Sequence, residues 1–208
     1  MKFFETSKKF TLYKSTYVNL RWIAHLGQII SILVVQFYFE FNFNYLPCLI
    51  IVFLSILSNL YLQFKTQENQ LSNINASIYL IFDIIQLTSL FFFTGGVTNP
   101  FIFLLIIPAV FSSQYLDKSI CIILVTITTL ALALLTFFYF DLPHPDKLHF
   151  HTPDYYLYSI PIAIFIGLNF IVYFGFKFGN ENRIRKEAYD KMQEIMAKEN
   201  ELVSLGGQ

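Results

Sequence analysis

Charge is what this sequence has least of. Asp, Glu, Lys and Arg make up 13% of its 208 residues, about half the share in a soluble globular domain. The two signs balance at 14 residues each, so no basic field points to nucleic acid. Cysteine occurs twice, as Cys48 and Cys121, each inside an apolar block. With no CxxC and no Cys/His pair at metal spacing, both read as small hydrophobes. A Gly-rich phosphate loop, a nucleophile elbow and an HExxH run are all missing. The polar loops are too short to fold an enzyme domain. The first twenty residues are polar and basic without a small-residue cleavage site, so no removable signal is expected.

What the chain has instead is apolar surface in long blocks. Hydrophobic residues make up 55% of it, with 25 Phe and 13 Tyr, and the mean hydropathy is +0.55. Blocks of this length, without period 2 or 3.6, belong in lipid. A membrane helix needs about 20 mostly apolar residues. Six stretches qualify: 20–39, 45–64, 77–94, 99–116, 119–140 and 155–178. The third and fourth are separated by four residues, which demands a tight antiparallel hairpin. The loop at 141–154 holds three prolines and three histidines, His144, His149 and His151. Its prolines and the lack of a fixed carboxylate–histidine spacing argue against a metal, and none is expected.

Lys and Arg set the orientation. The N-terminal arm, the loops after the second and fourth spans and the C-terminal tail hold thirteen of them. The three opposite loops hold one, Lys147. Both termini are therefore expected in the cytoplasm of a bacterial inner membrane, with the 95–99 hairpin and the histidine-containing loop facing outward. From 179 to 205 the chain becomes charged and helix-favouring. Ala188, Met192, Ile195, Glu199 and Leu202 recur at alternating spacings of four and three. That is a short coiled-coil seam with one charged defect, although a solvated juxtamembrane helix reads the same way. The expected fold is an all-α membrane protein. A cytoplasmic arm (1–19) precedes six transmembrane helices (20–178), and 179–208 begins a cytoplasmic coiled-coil dimerisation helix. The closing Leu205-Gly206-Gly207-Gln208 reads as a cut inside a larger protein.

Two groups of polar residues stand out. In the run Thr94-Gly95-Gly96-Val97-Thr98-Asn99-Pro100-Phe101, the glycines can take positive φ and end a helix. Asn99 suits an N-cap and Pro100 the first helical position. These properties make a complete turn that needs no ligand. The same atoms offer donors to an apolar ring with two carbonyls: the Gly95 and Gly96 amides, the Thr94 hydroxyl and the Asn99 amide, walled by Phe91, Phe92, Phe93 and Phe101. Asn99, both donor and acceptor, could tell quinone from quinol. Within the spans, Arg21 and Asp83 fall toward the same side and are expected to pair between the first and third helices, as glue or as function. Gln28 and Gln86 accompany them. His25, without a second intramembrane histidine, is expected to be a hydrogen-bonded core residue.

Taken in order, Leu20-Arg21-Trp22-Ile23-Ala24, Gly27-Gln28, Asp83 with Gln86-Leu87, Thr94-Gly95-Gly96 and Asn99-Pro100-Phe101 resemble the membrane sensor region of RegB/PrrB-type redox-sensing histidine kinases. The likeness runs along essentially the whole chain. It implies ubiquinone as the sensed ligand at Gly95, Gly96, Asn99, Pro100 and Phe101, with Val97 and Thr98 as variable positions. It also implies a homodimer through the coiled coil and a response regulator reached through a kinase core. The phosphoacceptor histidine, the ATP-binding domain and the family's redox-active cysteine would lie past Gln208, so the chain is expected to catalyse nothing alone. A small quinone-using membrane enzyme or electron carrier would need a second redox centre, for which no ligand set exists. A transporter lined by Arg21, Asp83 and Gln86 would be supported by inverted repeats, and none is visible.

Overall fold

The computed structural model describes residues 12–39, 43–65, 70–141 and 154–206. Most of the N-terminal arm, the loop histidines His144, His149 and His151, and Gly207 and Gln208 lie outside these. The described chain runs β1 (Leu12–Tyr13), α1 (Lys14–Leu33, continued by a π-helical stretch, Val34–Tyr38), α2 (Tyr45–Lys65), β2 (Gln70–Leu71), α3 (Asn73–Phe93), α4 (Ile107–Tyr115), α5 (Lys118–Phe137) and α6 (Asp154–Gly206). Two short 3-10 segments, Gly96–Thr98 and Ile102–Ile106, lie between α3 and α4.

Helices dominate because lipid leaves them no alternative: each backbone polar group in hydrocarbon must be satisfied within the protein. Five helical stretches among the described residues are long and apolar enough to cross a membrane. These are Lys14–Tyr38, Tyr45–Phe64, Asn73–Phe93, Lys118–Phe137 and Tyr155–Asn200. Large side chains such as Ile23, Phe53, Phe64, Ile85, Leu130 and Phe170 stand more than half exposed, on the surface that lipid covers. Packing between helices falls to narrower stripes. The larger cluster joins Leu80, Ile84 and Phe91 of α3, Ala109 of α4, Leu124, Leu132 and Leu135 of α5 and Leu168 of α6. A smaller one joins Ile32, Phe43, Cys48, Val52 and Leu90.

The fourth expected span differs. Its apolar helical part, Ile102–Tyr115, is shorter than the others. At about 2.0 Å per residue in the 3-10 part and about 1.5 Å in α4, it reaches roughly 24 Å against a hydrocarbon thickness of roughly 30 Å. Two residues explain it. Asn99 does not cap a helix; its Oδ1 accepts from the Phe101 amide at 2.8 Å, an Asx turn that delays the helix start. Pro108 sits in the first turn of α4 and has no N–H to give to an earlier carbonyl. The residues before it therefore close with i→i+3 bonds, Ile102 N to Asn99 O at 3.0 Å and Leu104 N to Phe101 O at 2.9 Å.

Boundaries shift elsewhere for local reasons. α1 begins at Lys14, six residues before the expected start, because the two-residue ribbon β1–β2 anchors it there. Leu12 pairs with Leu71 and both are buried. Lys14 Nζ donates to the Gln63 carbonyl at 3.0 Å. α3 starts early because Ser72 caps it, accepting from the Asn75 amide at 3.3 Å. Asn73 ties that start to α5 by donating to Asp117 Oδ2 at 2.6 Å. α6 runs without interruption from the bundle into the charged tail. Ala188, Met192, Ile195, Glu199 and Leu202 are all exposed on it in the single chain.

Gly96 has φ +57°, and a Cβ there would come 2.7 Å from the Leu135 carbonyl and as close to Tyr139 Cβ. Gly27, on α1, has open space around it. Gly96→Ala is therefore expected to lower stability by roughly 2–4 kcal/mol, from strain plus overpacking. Gly27→Ala should be neutral or slightly stabilising. Thermal unfolding of the purified chain in detergent tests both.

Candidate functional site

The hairpin joining α3 to the 3-10 segment is closed by its own polar atoms. Thr94 ends α3, its amide donating to the Phe91 carbonyl at 3.1 Å. Gly95 turns the chain at φ 98°, and Gly96 continues at φ 57°. The Gly95 amide donates to Phe140 O at 3.1 Å, and the Phe140 amide donates to Phe92 O at 2.8 Å. The segment after α5 is thereby stitched across the end of α3. Asn99 Nδ2 donates to the Thr94 carbonyl at 2.8 Å and reaches Thr94 Oγ1 at 2.9 Å, while its Oδ1 is taken by Phe101. The Thr94 hydroxyl also donates to Leu90 O at 2.8 Å, and Thr98 Oγ1 to Gly95 O at 2.6 Å.

The structure thus brings Thr94, Gly95, Gly96, Asn99, Pro100 and Phe101 together in one turn. The donors expected to serve a ring are largely spent on protein acceptors. Asn99 is nine-tenths buried, and Gly96 and Val97 are buried beside it. Pro100 and Phe101 stand exposed. The expected aromatic wall is divided. Phe91 turns into the core, and Phe101 stands exposed. Phe92 and Phe93 instead cluster with Phe140, with ring centroids 5.2 and 5.6 Å away, the latter pair stacked at 6° between planes. Phe140 and Tyr139 escaped sequence reading because they reach the hairpin from some 45 residues away, a pairing no local period encodes.

The second polar group binds three helices. Arg21 is buried, and its Nη2 lies 3.0 Å from Asp83 Oδ1. The same nitrogen donates to Ser58 Oγ at 3.0 Å and reaches Ser55 Oγ at 3.4 Å on α2. Tyr17 donates to Asp83 Oδ2 at 2.5 Å. The guanidinium is boxed by the rings of Tyr17, Tyr79 and Phe82, each with its centroid 5.7–5.9 Å away. Aromatic faces can offset part of the missing hydration of a buried cation, which matters here because Nε and Nη1 find no hydrogen-bond partner among the described residues. Gln28 and Gln86 exchange bonds at 3.0 and 3.5 Å. His25 is buried beside Gln28, and among the described residues neither ring nitrogen makes a hydrogen bond of close geometry; Trp22 meets the ring edge-on at 6.1 Å.

Sequence reading named Arg21 and Asp83 but not the residues around them. Tyr17 precedes Arg21 by four residues and Tyr79 precedes Asp83 by four, so each pair shares a helix face. Ser55 and Ser58 stand three apart on α2. That spacing was the available signal. From Asp83 to Thr94 is 11 residues, about 16 Å along α3, so the ion pair and the hairpin are separate sites. Among the described residues no group of three or more His, Cys, Asp or Glu could hold a metal.

A buried ion pair fails asymmetrically. Arg21→Met or Asp83→Leu alone should cost roughly 3–5 kcal/mol by stranding a charge in low dielectric, and the double variant should cost less than either. A double-mutant cycle of unfolding in detergent measures this; additive costs would remove the coupling.

The comparisons agree with this architecture. A family model described as a PilS-like transmembrane domain, of the six-transmembrane kind, matches residues 27–178. The sensor histidine kinase RegB of Cereibacter sphaeroides is 33% identical over 196 residues, which covers 92% of this chain and 42% of that kinase. The chain thus spans less than half the length of that relative. No solved structure matches it. With one model covering most of the bundle and the similarity running from end to end, the chain belongs to the PilS-like transmembrane domain family and is a multi-pass membrane sensor region of the RegB type.

Proposed function

We propose that the chain is the sensing part of a two-component histidine kinase that reads the redox state of a lipid-soluble quinone, with ubiquinone as ligand, at the Thr94–Phe101 turn. It sits in a bacterial inner membrane with both ends in the cytoplasm. Ala188, Met192, Ile195, Glu199 and Leu202 hold two copies together through the exposed tail of α6, and a kinase core attached beyond it phosphorylates a response regulator.

One observation carries the reading. The turn is held shut by Asn99 Nδ2 on the Thr94 carbonyl, with exposed Phe101 beside it. A quinone carbonyl seated against Phe101 competes for the Asn99 donor and leaves Thr94 O bare in hydrocarbon. A quinol hydroxyl accepts from Asn99 and also returns a donor to Thr94 O. The two redox forms therefore act differently on the same latch. Because Gly96 lies against Tyr139 and the 3-10 turn touches α5 and α6, opening the latch disturbs the helix that leaves the bundle. In line with the family, the oxidised form holds the kinase low. A ligand shifts such an equilibrium only by its differential affinity, typically about 1–3 kcal/mol.

Ubiquinone and ubiquinol titrations of the chain in lipid vesicles, with Asn99→Ala and Phe101→Ala beside the wild type, test this. Asn99→Ala is expected to weaken binding about tenfold, the loss of one hydrogen bond in a dry site, and to abolish the difference between the two forms. Equal binding by wild type and Asn99→Ala removes Asn99 from the site. Absence of binding by all three proteins leaves the turn a structural one.

A further inference from the structure

We propose that α4 and α6 form a mechanical clasp, in which Ser113 and Gln114 of α4 seat on Gly175 and Gly179 of α6 and set the pose of the outgoing helix. The clasp builds on the sensor reading only in what moves it; its geometry stands by itself. α6 rests on the bundle through a single stripe, Leu157, Ile160, Ile164, Leu168 and Val172, at spacings of three and four. Gly175 and Gly179 continue that stripe toward the tail. A Cβ on Gly175 would overlap Ser113 Oγ outright, with Ser113 Cβ at 3.4 Å. A Cβ on Gly179 would lie 3.2 Å from the Gln114 carbonyl and 3.3 Å from its Cα. Only glycine lets the two backbones come this close. Gly167, on the same helix, meets nothing within 4 Å.

Three further features make this contact a lever. α4 follows the 94–101 turn directly through the 3-10 segment Ile102–Ile106, and short 3-10 stretches inside helical spans commonly act as hinges. The Ser113 hydroxyl is turned back onto the Val110 carbonyl at 2.6 Å, so the contact with Gly175 is one of shape with no hydrogen bond to hold its register. At about 100° per residue, Ala188, Met192, Ile195, Glu199 and Leu202 fall roughly opposite Gly179 around α6. α4 therefore bears on the back of the helix whose front carries the exposed tail seam, and its displacement tilts that front.

Nitroxides at Ile74→Cys on α3 and Gln193→Cys on α6, an exposed position outside the tail seam, in a Cys48→Ala, Cys121→Ala background, report the pose within one chain. The labelled chain is diluted with unlabelled chain in lipid vesicles. Gly175→Ser should change the distance by roughly 3 Å or more, because about 27 Å of helix from Gly175 to Gln193 amplifies a small displacement. Gly167→Ser should leave it unchanged. Ser113→Gly combined with Gly175→Ser returns the missing volume across the contact and should restore the wild-type distance. A folded Gly175→Ser chain with the wild-type distance overturns the clasp, as does a swap that fails to restore it. Should Gly175→Ser fail to fold, the Ser113→Gly single variant decides: it should loosen the pose and broaden the distance distribution, and an unchanged distribution overturns the clasp. Adding ubiquinone and then ubiquinol to the wild type is a separate arm. An unmoved distance there defeats the quinone reading while the swap pattern still decides the clasp.

Discussion

Hydrocarbon offers a backbone no hydrogen bonds, and the break between α3 and α4 is where that constraint presses hardest. Between Phe93 and Ile107 the chain leaves the α-helix, so every amide and carbonyl freed there needs another partner. Asn99 supplies three contacts at once, two to Thr94 and one from Phe101. The Phe140 main chain supplies two more. The αL glycines make the geometry possible, and Tyr139 fills the space that a side chain on Gly96 would need. Were this closure lost, α4 would have no fixed start, and its packing on α6 would have no fixed register.

The Arg21–Asp83 cluster meets the same constraint with charge in place of backbone. Lipid cannot solvate a guanidinium, so the protein surrounds it with a carboxylate, two serine hydroxyls and three rings. The arrangement locks α1 and α2 onto α3, about 16 Å along α3 from the hairpin. The ions therefore pin α1 and α2 to the middle of α3, and the turn closes the end of α3. The pinned half is a frame. The half made by the turn, α4 and α6 rests on shape, which is easier to displace.

That division suits a sensor. α6 meets the bundle along one apolar stripe that ends in two glycines, and then continues alone. Its tail carries an apolar seam that nothing among the described residues covers. A helix held on one narrow face can be tilted by a small change behind it, whereas a helix wedged among several neighbours cannot.

The amino-acid sequence by itself determined the solvent. Long apolar blocks, few charges and the one-sided Lys and Arg distribution place this chain in a membrane, because transfer energies are additive along a chain and need no tertiary knowledge. Sequence also marked Arg21 and Asp83, which the structure pairs, and Gly95, Gly96 and Asn99, which it gathers in one turn. Charges are rare enough in lipid to need a reason, and two adjacent glycines at the end of an apolar run mark a turn. Only the tertiary structure decided what those residues do. That Phe140 crosses the end of α3, that Tyr139 fills the space beside Gly96, and that Ser113 seats on Gly175 all depend on contacts between distant parts of the chain. A sequence period describes one helix face. It carries no information about which face of another helix comes to meet it.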